Sequence, residues 1–401
     1  MRVLINGLAA AGARTGVGHY TAELVRALPE TASAADRAVC FQPDWARQLK
    51  HGWAWLRGWL APARGTQVVA GPPRVTLKSR LLDAAKQVGL RLYRHRFASM
   101  ARSGFDLYHE PNFIPLPCDL PTVTTVLDLS VLLHPQWHPA DRVRDFERRF
   151  ADALRRCVHV LTIAEFGRRE VIDSLGIPAE RVSRAYMGVR HGFAPLPAHE
   201  VAAQVAALGL PPCYLLHVGT IEPRKNLLTL MRAYADLPAS VRERCPLVLV
   251  GGWGWNSAQV HDFLQTTGRH RHIVHVGYLP EHALPAVYNA ARALVFPTHY
   301  EGFGMPVIEM FACGGAVLAS TAGAVAEVAN GVAHLIDPAD EGGWRDAMQR
   351  IIVDDDWHRQ LCLGGPMIAR RFTWEACARD TWQAYHRALA TSGAQTTSRA
   401  A

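Results

Sequence analysis

The chain has 401 residues, 49% hydrophobic and 19% charged, with 43 Lys and Arg against 35 Asp and Glu for a formal net charge of +8. That length is too great for one ordinary core and suits two domains of about 150–200 residues, and the composition excludes a disordered chain. Eight scattered cysteines without a C-x-x-C pair argue against a disulfide scaffold or a zinc knuckle. The N-terminus lacks a signal peptide's apolar run, and no stretch reaches the roughly 18–20 apolar residues that span a bilayer. The expected setting is cytoplasmic, or peripheral on the inner face of the cytoplasmic membrane.

Residues 2–6 read as a short strand, 7–18 as a flexible small-residue loop and 20–28 as a helix, an order that opens many doubly wound α/β domains. Within the loop, RTGVGHY (14–20) could bring backbone N–H groups at Gly16 and Gly18 near a phosphate or sugar. It lacks the G-x-G-x-x-G spacing and the GK[ST] ending, so as a lone glycine motif it is a weak signal. Residues 29–71, rich in Trp, Pro and Gly, allow no assignment, and 81–100 read as a helix. Across 74–102 lie Arg74, Lys78, Arg80, Lys86, Arg91, Arg94, Arg96 and Arg102 against one acid, Asp83. This stretch fits a solvated helix face, or attraction to an anionic membrane or phosphate-bearing acceptor. Nucleic acid is disfavoured because no recognition motif accompanies the charge. Strands follow at 123–127 and 158–163, with a long polar helix over 142–155, and this half ends near residue 195. Asp128 closes the strand 123–127; its carboxylate either orients an acceptor hydroxyl or caps the next turn.

A second pattern starts with the near-continuous apolar run 214–219, expected for a strand buried on both faces. A helix over 227–237 and strands at 247–250, 273–276, 293–296 and 316–319 complete a second open parallel sheet. The expected organisation is an N-terminal domain, 1–195, and a second domain, 196–373. A helix at 374–390 would cross back to the first domain, and 391–401 would form a flexible tail. Two such α/β domains are expected to face each other across a cleft, where ligands meet the carboxyl ends of the strands.

Two segments concentrate the chemistry. In GTIEPRKN (219–226), Arg224 and Lys225 follow a buried strand and precede a helix. Helix N–H groups, a planar guanidinium and an ammonium suit a diphosphate, while the plain alternative is a basic surface pair. In EGFGMPVIEM (301–310), Gly302 and Gly304 allow sharp turns and Pro306 suits a first helical turn. Glu301 then stands in the loop and Glu309 one turn inside the helix, both suited to sugar or ribose hydroxyls; the alternative for Glu309 is a solvent-facing helix position. The metal motif H-E-x-x-H is absent, as is the G-x-S-x-G elbow of a serine hydrolase.

The sequences LLHVGTIEPRKN (215–226) and VGYLPEHALPAVYNAARALVFPTHYEGFGMPVIEMFACG (276–314), followed by Ser320, Gly323, Glu327-Val328 and Asp337-Pro338, resemble retaining glycosyltransferases of family 4. These are two-Rossmann-domain (GT-B) enzymes that include bacterial mannosyltransferases of polysaccharide assembly. The resemblance covers nearly the whole chain and is strongest over 214–338. It implies that Arg224 and Lys225 bind the donor diphosphate, Glu309 the ribose and Glu301 the donor sugar. It further implies that Phe303, Gly304 and Met305 meet sugar and diphosphate through the backbone, that Gly16 and Gly18 lie beside the phosphates, and that no metal is needed. Two departures stand out: Leu127 replaces a histidine common before the aspartate, and Ala164 a common serine.

The resulting expectation is transfer of mannose or a related sugar from a GDP-sugar to a saccharide acceptor, lipid-linked by family habit, in surface polysaccharide synthesis. Arg224 and Lys225 would stabilise the leaving diphosphate, Asp128 would orient the acceptor, and a basic 74–102 face would touch the membrane. The alternatives are a UDP-sugar donor or an inactive sugar-nucleotide-binding scaffold. A phosphorylase or sugar-phosphate synthase of similar architecture competes less well, and a dehydrogenase lacks its dinucleotide fingerprint.

Overall fold

The computed structural model describes residues 1–11, 16–42 and 77–399, excluding the side chains of 77–87 and 392–399. Residues Arg14, Thr15 and Arg74 lie outside the described residues, as do the side chains of Lys78, Arg80, Asp83 and Lys86. Most of the unassigned stretch 29–71 is outside as well.

Two separate six-stranded sheets form. The first comprises β1 (Arg2–Asn6), β2 (Arg37–Phe41), β3 (Leu107–Glu110), β4 (Thr122–Val126), β5 (Cys157–Thr162) and β6 (Val182–Arg184), in the order β2-β1-β3-β4-β5-β6. The second comprises β7 (Tyr214–Val218), β8 (Leu247–Val250), β9 (Ile273–Gly277), β10 (Ala291–Phe296), β11 (Ala316–Ser320) and β12 (His334–Ile336), in the order β12-β11-β10-β7-β8-β9. Parallel pairing is seen between β1 and β2, β7 and β8, and β7 and β10. Parallel strands require crossover helices that cover both faces. Their sequences answer that demand: LVLV in β8 and AVLAS in β11 are buried at every position. The core against the second sheet gathers Leu215, Leu247, Leu249, Val295 and Leu318 with Leu230, Met231, Tyr234, Trp344 and Ile351 from helices.

By compactness the chain divides into one unit of Met1–Thr125, Asp152–Val160 and Thr381–Ala401, and another of Val126–Ala151 with Leu161–Asp380. The loop expected over 7–18 is partly helical. Leu8–Ala10 make a single 3-10 turn and the first long helix starts at Gly16, so both candidate glycines stand in its first turn. The last helix runs Trp374–Arg399 rather than ending at 390. No described helix is long and apolar enough to cross a membrane.

Candidate active site

In the second sheet the strand order reverses between β7 and β10. Chains leaving the carboxyl ends of those strands turn to opposite sides, and the crevice between them is the usual ligand site of such sheets. The loop after β7 carries Arg224 and Lys225; the loop after β10 carries Glu301. The two loops are tied together. His299 N donates to Arg224 O at 2.8 Å, and Asn226 Nδ2 donates to Pro297 O at 3.0 Å and to Pro338 O at 2.7 Å.

At this junction Lys225 Nζ donates to Glu301 Oε1. Arg224 Nη1 stands 2.8 Å from Glu301 Oε2 and Arg224 Nε 2.6 Å from Glu222 Oε1. Lys225, Glu222 and Glu301 are buried, so the pair is no incidental surface feature. Burial opposes the charge of Arg224, but Glu301 and Glu222 outweigh it and hold its pKa above the usual guanidinium value. Burial and then the Arg224 cation push the Lys225 ammonium down, against the pull of Glu301. For Glu301, burial acts upward and is outweighed by the two cations, leaving the carboxyl below its usual range. Two cations thus face two carboxylates, formally neutral, and a diphosphate arriving here exchanges with partners already present. Glu222, two residues before Arg224 in the same motif, was not among the residues singled out from sequence.

Asp128 is drawn to the same place by Gly302. A Cβ at residue 302 would lie 2.0 Å from Leu127 O and 3.0 Å from Asp128 Cβ, so only glycine lets these segments meet. Gly323, with φ +62, stands so close that a Cβ would fall 2.5 Å from Glu301 O. Asp128 Oδ1 accepts from Ser130 N at 2.9 Å and Ser130 Oγ at 2.7 Å; it caps the next turn, while its Oδ2 has no hydrogen bond among the described residues. Ser130 Oγ also meets His138 Nε2 at 3.1 Å. Burial, then Arg142, lowers His138 to about 4, so it is neutral at ordinary pH. Tyr300 OH accepts from Leu129 N at 3.1 Å and donates to Glu170. Burial raises Glu170 to about 7, against the Tyr300 hydrogen bond, with Asp128 adding to the rise.

Glu309 lies one turn inside the helix Met305–Ala312, as expected, with its side chain only 1% exposed. Its Oε1 accepts from Arg190 Nε at 2.5 Å and its Oε2 from Tyr288 OH at 2.9 Å. This rules out the solvent-facing alternative. Gly304 caps that helix with φ +105, and Met305 begins it with Pro306 in the first turn. Phe303 is buried against Phe372, ring centroids 5.6 Å apart, and Tyr186, 6.3 Å apart. The helix Glu165–Leu175 begins after Ala164, which offers no side-chain cap. Glu327 takes that role: its carboxylate accepts from Glu165 N and Phe166 N, both at 2.8 Å, and from Tyr186 OH at 2.5 Å. A carboxylate from a distant segment thereby satisfies orphan donors at a helix start.

Arg224, Lys225, Glu301 and Asp128 therefore converge, and Glu309 stands in a separate buried cluster with Arg190 and Tyr288. Gly16 and Gly18 belong to the other compact unit; a Cβ at Gly16 would meet nothing within 4 Å. Glu170 and Arg190 gave no motif signal because their partners, Tyr300 and Glu309, are remote in sequence. Among the described residues no group of three or more His, Cys, Asp and Glu is placed to hold a metal ion.

Residues 203–361 match the family model described as glycosyl transferases group 1. The chain is 31% identical over 388 residues to the O-antigen chain mannosyltransferase B of Escherichia coli, covering 92% of this chain and 96% of that relative. Its fold is similar to sucrose-phosphate synthase from Thermosynechococcus elongatus, with TM-score 0.68, 20% identity and coverage of 97% of this chain and 99% of that one. It is also similar to Anabaena Alr3699/HepE in complex with UDP-glucose, with TM-score 0.66, 16% identity and coverage of 96% and 99%. The sugar nucleotide in that neighbour is UDP-glucose, against the GDP-sugar expected from the sequence. The chain belongs to the group 1, family 4 glycosyltransferases and is an enzyme of the GT-B fold.

Proposed function

We propose that this enzyme is a UDP-sugar-dependent, retaining glycosyltransferase that glycosylates a saccharide acceptor in surface polysaccharide assembly. The observation that carries the reading is the junction of Arg224, Lys225 and Glu301 at the switch point of the second sheet. The donor diphosphate takes the place of Glu301 on the two cations, which then stabilise it as the leaving group. Glu301, once released, accepts from a donor-sugar hydroxyl. The bond from the anomeric carbon to the phosphate oxygen breaks as the acceptor oxygen attacks the same face, and the departing phosphate oxygen takes the acceptor proton. Asp128 Oδ2 orients that acceptor hydroxyl. Phe303, Gly304 and Met305 line the sugar and diphosphate, and Glu309 serves the ribose. The first six-stranded sheet serves the acceptor and the second the donor.

A lipid-linked acceptor at an anionic membrane surface is favoured by the helix Leu77–Ala101. It exposes Val88 and Leu92, 55% and 53% accessible, among the exposed Arg91, Arg94 and Arg96. The test is incubation with UDP-glucose, UDP-galactose or UDP-N-acetylglucosamine and short mannose-, glucose- and galactose-terminated saccharides. The expected result is a glycosylated product by mass spectrometry with the donor's anomeric configuration by NMR. An inverted product, or no release of UDP from any donor, would overturn the proposal.

A further inference from the structure

Arg190 follows β6 and belongs to no helix or strand. Its guanidinium meets buried Glu309 through Nε alone, at 2.5 Å, and lies 4.9 Å from the centre of the Phe193 ring. The Nη groups, up to four N–H donors, have no hydrogen bond among the described residues, and the side chain keeps 10% exposure where Glu309 keeps 1%. An arginine serving only to neutralise Glu309 would offer its paired Nε–Nη edge, as guanidinium–carboxylate pairs commonly do. Here one edge is anchored, one face lies by an aromatic ring, and the donors that remain are aimed elsewhere. Glu309 also accepts from Tyr288 OH, so each of its oxygens already has a partner. A ligand therefore meets the more accessible Arg190 before the carboxylate beneath it.

We propose that Arg190 is a donor-binding residue whose Nη groups donate to the oxygens of the nucleotide's ribose diol, with Glu309 acting on the ribose through Arg190. The inference rests on the nucleotide-sugar reading above and deepens it. It makes the Arg190–Glu309–Tyr288 cluster a preset frame: Tyr288 and Glu309 fix the guanidinium, and the guanidinium selects ribose over deoxyribose.

The test is calorimetric titration of wild type and Arg190→Lys with UDP, 2′-deoxy-UDP and inorganic pyrophosphate, with ADP, CDP and GDP and their deoxy forms run alongside. Lysine keeps a positive charge beside Glu309, so the fold is preserved, but it removes the fork. Wild type should prefer the ribonucleotide by about tenfold, the worth of one good polar contact. Arg190→Lys should reduce that preference to about twofold or less while pyrophosphate affinity stays unchanged. Unchanged ribose preference in Arg190→Lys would overturn this inference and leave the donor site standing. Equal loss for pyrophosphate would overturn it too, by making Arg190 a phosphate contact or a purely structural residue. Failure of wild type to bind any nucleoside diphosphate would remove the donor reading and this inference together.

Discussion

Arg224 and Glu301, remote from each other along the chain, meet with Nη1 and Oε2 2.8 Å apart where β7 and β10 end. Glu301 thus occupies both cations of the site. Removing that negative charge while keeping the shape should favour an incoming diphosphate. Glu301→Gln should bind UDP roughly three- to tenfold tighter, about 1 kcal/mol, yet transfer sugar at least about tenfold more slowly for want of a sugar-hydroxyl acceptor. Calorimetry and initial rates separate the two effects.

Glu222 supports Arg224 from the other side, with Nε 2.6 Å from Oε1. Breaking one partner of a buried pair leaves an uncompensated charge, a loss of about 3 kcal/mol. Glu222→Ala should therefore lower the urea midpoint. An unchanged midpoint would show that the Glu222 contact contributes little.

Gly302 sets the distance between the Glu301 loop and Asp128. Because a Cβ there would lie 2.0 Å from Leu127 O, Gly302→Ala must separate the two segments. Overpacking of this kind costs about 1–3 kcal/mol. The activity loss should exceed the stability loss, since Asp128 moves away from the reacting centre; rates compared with melting curves check this.

In the first sheet, Glu110 is buried and accepts from Tyr108 OH at 2.6 Å, Asn6 Nδ2 at 2.7 Å and Asn112 N at 3.1 Å. Burial outweighs these hydrogen bonds and raises its carboxyl to about 7. Between roughly pH 4.5 and 7 the folded chain keeps a proton that the unfolded chain has released, so stability falls as pH rises through that window. Below it both states are protonated and above it both are ionised, and the slope vanishes. Relative to Glu110→Gln, wild type should lose up to about 3 kcal/mol across the window. Urea melts at pH 5, 6 and 7 measure the difference.

What could be read from sequence follows the range of the forces involved. Apolar runs such as YLLHV and LVLV declared the buried strands, and GTIEPRKN and EGFGMPVIEM declared the loops that meet at the switch point. Strand β3, LYHE, escaped notice because its His and Glu look unsuited to a buried strand. They are tolerated through partners far along the chain: His109 meets Thr125 Oγ1 at 2.8 Å and Tyr385 OH at 2.6 Å. Arg190 lies 119 positions from Glu309, and Glu327 162 from Glu165. No local spacing reports such pairs. The helix read over 20–28 begins earlier, at Gly16, its first turn hidden by glycines that look like a loop.

The most direct test of the account is UDP titration of wild type against Lys225→Ala, with Glu301→Gln as the opposing control. If the donor diphosphate rests on Lys225 and Arg224, UDP affinity should fall at least about tenfold in Lys225→Ala and rise in Glu301→Gln. Equal UDP affinity in all three proteins would place the donor elsewhere and contradict the central claim.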